Sequence, residues 1–210
     1  MANIIPAILE SDIHELQHKL DLLAEVVDYA QIDLMDGQFV ETVSVRPEEL
    51  NSLRTNLFLE AHLMVKRPAE WLPFLNPDVF KRIYFHIEAV PKPAELISAI
   101  KEAGFEVGLA INPDTPIEAI KEYAEYVDGV LFLSVVPGAQ GREFHPEVLA
   151  KIKEFSLEFT GPDIGLDGGV TESNIFSVAE AGVTNICVGS AIFANGDIRN
   201  NIQQLKDKLS

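Results

Sequence analysis

A closed barrel of eight parallel strands, each followed by a helix, is the fold this sequence predicts, and three observations predict it. Short runs rich in Ile, Val, Leu and Phe alternate eight times with longer amphipathic stretches, the rhythm of βα units around a parallel sheet. Four of the apolar runs end in polar chemistry: Gln31-Ile-Asp-Leu-Met-Asp-Gly37, Ala61-His62-Leu-Met64, Phe85-His86-Ile-Glu88 and Ile164-Gly-Leu-Asp167-Gly-Gly169. Carboxylates and imidazoles at the ends of successive strands share one mouth in a barrel. Finally, 210 residues leave little room for insertions around eight units, so the expectation is a single-domain (β/α)8 TIM barrel over residues 1–210. A doubly wound open sheet is the alternative, because periodicity alone does not show closure.

The strands are expected at residues 4–9, 29–34, 57–64, 79–86, 105–111, 129–135, 162–166 and 185–189. Helical patterns fall near 12–27, 47–54, 69–75, 93–103, 116–125, 146–156, 172–181 and 197–208. Pro47, Pro68, Pro93, Pro116 and Pro146 each stand at or near a first helical turn, where a missing N–H costs nothing. Ser11 or Asp12, Asp114 or Thr115, and Thr171 are candidate N-caps. Gly104 and Gly182 follow helical patterns, as C-terminal stops do.

Charge narrows the partners. Lys and Arg number 16 against 33 Asp and Glu, a net charge of −17, and no window gathers the cations into a stripe. Nucleic acid and an anionic membrane are therefore not expected partners. An anionic substrate would have to be held by local dipoles against the global field. The start, Met1-Ala-Asn-Ile-Ile-Pro6, lacks the basic-then-apolar pattern of a secretory signal, and the apolar run at 130–137 is too short to span a bilayer. The single cysteine, Cys187, has no internal disulfide partner and reads as a buried small residue. A cytoplasmic protein is the expectation.

At the strand ends, the polar residues that share the mouth are Gln31, Asp33, His62, His86, Asn112, Ser134 and Asp167. Asp33 and Asp167 come from distant strands and can face each other. Two opposed carboxylates can take a proton from one face of a carbon and return one to the other face, inverting the centre. That proton must be acidified by an adjacent carbonyl whose enediolate is stabilised by a metal or by hydrogen-bond donors. Asp36 before Gly37 is equally readable as a turn residue. The glycines form a second cluster: Gly138 and Gly141 after strand 6, Gly168 and Gly169 after strand 7, and Gly189 with Ser190 after strand 8. Barrels bind phosphate with such loops. A Schiff-base aldolase needs a desolvated lysine, and only Lys66, followed by Arg67-Pro68, comes near; the Asp and Lys alternation of a decarboxylase strand is missing from Asp33-Leu-Met-Asp36.

These motifs resemble the ribulose-phosphate 3-epimerase family almost end to end. The similar segments are Pro6-Ala-Ile-Leu9, Ile32-Asp-Leu-Met-Asp-Gly37, His62-Leu-Met64, His86-Ile-Glu88, Asn112-Pro-Asp-Thr-Pro116, Ser134-Val-Val-Pro-Gly138, Leu166-Asp-Gly-Gly-Val170 and Gly189-Ser-Ala-Ile-Phe193. The resemblance implies a (β/α)8 barrel that inverts C3 of a ketopentose phosphate, D-ribulose 5-phosphate to D-xylulose 5-phosphate. Asp33 and Asp167 match the family's acid/base pair. The family's divalent metal, held by two histidines and these aspartates, implies Asp33, His62 and Asp167 as ligands here, with zinc, iron or manganese as the cofactor. The second histidine position is Gln31, whose amide oxygen is a weaker ligand than imidazole. Substrate and phosphate contacts are expected from His62, His86, Gly138, Gly141, Arg142, Gly168, Gly169, Gly189 and Ser190, with Met35, Met64 and Ser134 lining the site. Ala7, Leu133, Glu41-Thr42 and Gly138-Ala-Gln-Gly-Arg142 depart from the family pattern. A sugar phosphate is the implied partner, and the family's habit of forming dimers or hexamers extends to a homo-oligomer. Two further readings stay open: a metal-free phosphosugar isomerase that uses Gln31 and His62 as donors, and a non-catalytic sugar-phosphate binder.

Overall fold

The structure, a computed structural model, describes residues 2–138 and 142–209. Gly141, expected to contact phosphate, lies outside the described residues. Eight strands, β1 (Asn3–Ile8), β2 (Tyr29–Met35), β3 (Phe58–Met64), β4 (Phe80–His86), β5 (Glu106–Ile111), β6 (Gly129–Leu133), β7 (Asp163–Asp167) and β8 (Asn185–Val188), pair in parallel in sequence order. β8 then pairs with β1, with Asn3 opposite Asn185 and Pro6 opposite Val188, so the sheet is closed and the open-sheet alternative falls.

Period-two alternation sorts the side chains. Ile32 and Leu34 of β2, Leu59, Ala61 and Leu63 of β3, Ile83 and Phe85 of β4 and Val107, Leu109 and Ile111 of β5 join one large apolar cluster with the helices outside the barrel. Their alternates form a second, smaller cluster that includes Ile5, Ala7, Tyr84, Ala110, Leu131, Leu133 and Cys187. Tyr84 lies across the barrel interior and needs a bare backbone beside it. A Cβ on Gly108 would stand 2.2 Å from Tyr84 Cδ1.

The outer layer is thinner than the hydrophobic periodicity suggests. Full helices form at α1 (Ile13–Leu23), α2 (Pro93–Glu102), α4 (Val148–Glu158) and α7 (Ile198–Asp207), with shorter turns at α3 (Glu118–Lys121), α5 (Ile175–Glu180) and α6 (Ser190–Phe193). After β2 and β3 the chain makes only 3₁₀ turns, Pro47–Ser52, Pro68–Glu70 and Leu72–Phe74. Pro73 removes an N–H inside the expected helix at 69–75, which prevents an α ladder there. Asp12 caps α1, accepting from His14 N at 2.8 Å and Glu15 N at 3.1 Å. Neither Asp114 nor Thr115 caps α3, and Thr171 does not cap α5: the cap positions there are Ile117 and Asn174, without a side-chain bond.

A polar network occupies the N-terminal end of the barrel. Arg82 donates to Glu106 Oε2 at 2.9 and 2.7 Å, to Asp163 Oδ2 at 2.8 Å and to the Tyr84 hydroxyl at 3.0 Å. Glu60 pairs with the same guanidinium at 3.6 Å through Oε1, while its buried Oε2 has no hydrogen-bond partner. Burial outweighs the attraction of Arg82 and pushes the Glu60 carboxyl up to about 7 from an ordinary 4.5. The folded chain therefore binds this proton more tightly than the unfolded chain, and Glu60's contribution to stability is full below pH 4.5 and lost as pH rises through 7. Glu60→Gln is expected to flatten that dependence, gaining up to about 3 kcal/mol over the native protein between pH 5 and pH 8 in urea unfolding. Identical pH profiles for the two proteins would remove Glu60 as the cause.

Candidate active site

Four side chains meet at the C-terminal end of the barrel because their strands put them on the inward face at matching heights. Gln31 and Asp33 are alternate residues of β2, and Asp33 pairs in register with His62 of β3. Asp167 ends β7, between Leu133 of β6 and Cys187 of β8. Gln31 Nε2 donates to Asp33 Oδ1 and to Asp167 Oδ2, both at 2.8 Å. His62 Nδ1 lies 3.1 Å from the same Asp33 oxygen and 3.3 Å from the same Asp167 oxygen. One oxygen of each carboxylate thus sits between the same two nitrogens.

The orientation of Gln31 has a cause on its other side. The Cys187 thiol donates to Gln31 Oε1 at 3.1 Å, and turning the amide over would set that oxygen against two carboxylates. Cys187 is the buried small residue expected, with its thiol pushed to a higher pKa by burial and then by Asp167.

Electrostatics divide the titratable groups. Burial, reinforced by the neighbouring Asp167 charge, raises the Asp33 carboxyl above its usual range against the opposing bonds from His62 and Gln31. Burial alone would lower His62, but its hydrogen bonds to Asp167 and Asp33 outweigh that and push it up to about 9. His86 behaves oppositely: burial, with the charge of His62 beside it, lowers it to about 4 despite its bond to Glu88.

A cavity opens above this floor. Asp33, Asp167, Met35, Met64, Gly138, Arg142, Gly168, Gly169, Gly189 and Ser190 line it, together with Ala7 and Leu133, where the sequence departs from the expected pattern. Gly168 adopts φ +110°, and a Cβ there would stand 2.5 Å from Val135 Cγ2, so the turn after β7 requires glycine. Arg142 is the one Lys or Arg among the described residues of the lining.

Other expected residues stand elsewhere. Gln31 and His62 are fully buried beneath the cavity. His86, expected at the substrate, is 0 % exposed and outside the cavity lining, its Nε2 3.0 Å from His62 Nε2. Ser134 is also buried; its hydroxyl donates to Asp167 O at 3.0 Å and Gly168 O at 2.6 Å, which fixes the turn rather than lining the cavity. Asp36 resolves as a loop anchor: it accepts from the N–H groups of Gln38, Phe39 and Lys66 at 2.8 to 2.9 Å. Thr42 donates to Gly138 O, joining the loops after β2 and β6. Sequence reasoning missed two contributors, Glu88 behind His86 and the thiol of Cys187. For Cys187 the signal was register, since it pairs with Asp167 across β7 and β8; Glu88, already quoted at the end of the β4 run, stands in the 3₁₀ turn Ile87–Ala89.

The donor set suits a metal in part. Asp33, His62 and Asp167 offer two carboxylate oxygens and one imidazole nitrogen within 4.8 Å of one another, a set that suits a divalent cation with open positions. Gln31 does not complete it as it stands, because it turns N–H donors toward the carboxylates where a ligand would present its oxygen.

Comparison with known proteins agrees with this fold. Solved structures with similar architecture include 3-keto-L-gulonate-6-phosphate decarboxylase from Vibrio cholerae, with a TM-score of 0.74 at 14% identity, covering 99% of this chain and 97% of that one. Another is 3-hexulose-6-phosphate synthase from Salmonella typhimurium, with a TM-score of 0.72 at 15% identity, over 98% and 97%. At those identities the likeness is one of fold. In sequence, the chain is 33% identical to ribulose-phosphate 3-epimerase of Bacillus subtilis over 98% of this chain and 99% of that one, and 32% identical to that of Eremothecium gossypii over 98% and 92%. The cytoplasmic isoform of rice is 33% identical over 99% and 94%. The profile of the ribulose-phosphate 3 epimerase family matches residues 3–193, and the chain belongs to that family.

Proposed function

We propose that this protein inverts C3 of a ketopentose phosphate, interconverting D-ribulose 5-phosphate and D-xylulose 5-phosphate. The observation that carries the reading is the convergence of Asp33 and Asp167 on the same two nitrogens at the floor of a glycine-walled cavity.

The chemistry follows from the pair. One carboxylate takes the C3 proton, the C3–H electron pair moves into a C2–C3 double bond, and the C2 oxygen gains negative charge. The other carboxyl, protonated, returns a proton to C3 from the opposite face. A two-base exchange needs one acid and one base at the same moment, and the raised Asp33 beside a second carboxylate suits that division. Gln31 and His62 hold the two groups in place and offset their repulsion. The backbone N–H groups of the loops after β6, β7 and β8, with Arg142, suit the phosphate of the substrate. Met35, Met64 and Leu133 give the sugar an apolar wall that limits water at the enediolate.

Asp33, His62 and Asp167 would hold a divalent cation such as zinc, iron or manganese, which when bound supplies Lewis-acid polarisation of the C2 oxygen. The amide orientation of Gln31 favours a second reading, in which the N–H groups of Gln31 and His62 stabilise the enediolate without a cation.

Deuterium uptake from solvent into ribulose 5-phosphate, measured before and after chelation, separates these readings. Chelator-sensitive exchange supports the cation, chelator-indifferent exchange supports the two donors, and no exchange under either condition with zinc, iron or manganese supplied would leave a sugar-phosphate binder. Asp33→Asn and Asp167→Asn are each expected to lower exchange by about 10²–10⁴-fold while leaving binding of the sugar phosphate largely intact. Full exchange in either variant would refute the two-base assignment. Gln31→His replaces an amide donor by an imidazole at the fourth position and is expected to tighten zinc binding at least about tenfold, roughly 1.4 kcal/mol, by calorimetry. Unchanged affinity would mean that position 31 does not face the cation.

A further inference from the structure

Behind the reacting groups runs a line of hydrogen bonds that ends on Glu88, outside the cavity. Glu88 Oε1 accepts the Asn112 N–H at 2.8 Å and also the Thr115 hydroxyl. Its other oxygen, Oε2, faces His86 Nδ1 at 3.2 Å. His86 Nε2 faces His62 Nε2 at 3.0 Å, and His62 Nδ1 faces Asp33 and Asp167.

The protons on this line are determined by what each atom can do. An ionised carboxylate only accepts, so the nitrogen facing Glu88 carries a proton, and His86 Nδ1 is the donor. A neutral imidazole has one N–H, and His86 is wholly buried against a second ring, where a charged imidazole is disfavoured. Its Nε2 is therefore an acceptor. The proton between the two rings then belongs to His62 Nε2, and only His62 Nδ1 is free to address the carboxylates.

We propose that Glu88 is a positioning residue that acts through His86 to keep a proton on His62 Nε2, so that His62 always presents Nδ1 to Asp33 and Asp167. Nδ1 then offers a proton to the carboxylates or a lone pair to a cation, without any change farther back. The proposal rests on the reading of Asp33, His62 and Asp167 as the reacting centre. It also accounts for a carboxylate at position 88. Asn112 and Thr115 both require an acceptor at Oε1, and His86 requires a second one at Oε2. A glutamine has a single oxygen. With that oxygen held by Asn112 and Thr115, its NH2 group would face His86 Nδ1 and make it an acceptor. The His86 proton would move to Nε2 and His62 Nε2 would become the acceptor, leaving the Nδ1 proton as the only one on the His62 ring, so that ligation through Nδ1 would leave that ring with no proton at all.

The test is nitrogen-15 NMR of histidine-labelled full-length protein, which reads which ring nitrogens carry protons with no metal and no substrate present. In the native protein, protons are expected on both His62 nitrogens, Nδ1 facing the two carboxylates and Nε2 facing His86, and on His86 Nδ1. In Glu88→Gln the His62 Nε2 proton is expected to be lost, leaving protons on His62 Nδ1 and His86 Nε2, and zinc affinity by calorimetry is expected to fall about 10–100-fold. Thr115→Val removes a donor from Oε1 but leaves Oε2 on His86, and it is expected to keep the native pattern. A bare His62 Nε2 in the native protein overturns the proposal, and needs no variant to fold. A native proton pattern in folded Glu88→Gln also overturns it, as does a shifted pattern in Thr115→Val. If the native protein takes up no zinc, the cation reading fails by itself, because the ring protonation is measured in its absence.

Discussion

Asp33 and Asp167 reach one point from β2 and β7, and two buried carboxylates sharing a point repel each other strongly unless donors or a cation stand between them. Most of what surrounds them can be understood as the answer to that repulsion. Gln31 and His62 each bring one nitrogen to both carboxylates, and each is itself held from behind, Gln31 by the thiol of Cys187 and His62 by His86. A side chain with a free rotor would not serve here, because the like charges would turn it or part. The closed barrel supplies the rigidity: with no sheet edge, neither β2 nor β7 can move away from the other without breaking register with its neighbours.

The two ends of the barrel interior solve related problems with different outcomes. At the N-terminal end a single guanidinium serves Glu106, Asp163, Glu60 and Tyr84, so the acids are partly neutralised by a cation that never leaves. That arrangement is structural, and its flaw is the unpartnered Glu60 Oε2. At the C-terminal end the compensation comes from a neutral amide and an imidazole raised to about 9, which together offset at most one of the two carboxylate charges. A carboxylate pair fully neutralised by arginine would be too weak a base to take a proton from carbon. A floor of partial donors leaves the pair basic and lets a substrate or a cation compete for it.

The strands were legible because an inward and outward alternation over four to seven residues, punctuated by Gly, Pro and Asp, has few other readings. The main strand error lay at β6, expected to run to 135. Ser134 leaves the ladder there to bond the turn after β7, a tertiary demand with no local signature. The helices after β2 and β3 were over-read, since the apolar spacing persists in a 3₁₀ turn while Pro73 forbids the longer ladder. At the site, Asp33, His62 and Asp167 were visible as strand-end chemistry. What was not visible was depth. His86 and Ser134 have the same sequence signature as His62 and Asp167, yet neither lines the cavity: His86 bonds His62 and Glu88, and Ser134 bonds the turn after β7. The orientation of Gln31 was equally hidden, because it depends on a thiol 156 positions away.

The acidity of the chain returns as a constraint on substrate binding. With a net charge of −17, the long-range field disfavours a phosphorylated sugar, but screening limits that field to about 8 Å at physiological salt. Contact interactions then decide affinity. Gly138, Gly168 and Gly169, all at positive φ, line the cavity, and Arg142 adds a cationic side chain to the same lining. Such a design separates the two ends of the ligand electrically. Under the proposed function the phosphate would meet fixed dipoles and a cation, while the reacting carbon would meet two carboxylates across an apolar wall of methionines. The repulsion between phosphate and carboxylates would then favour a ligand long enough to keep them apart, and under the proposed function this would couple the grip at the loops to alignment of C3 over Asp33 and Asp167.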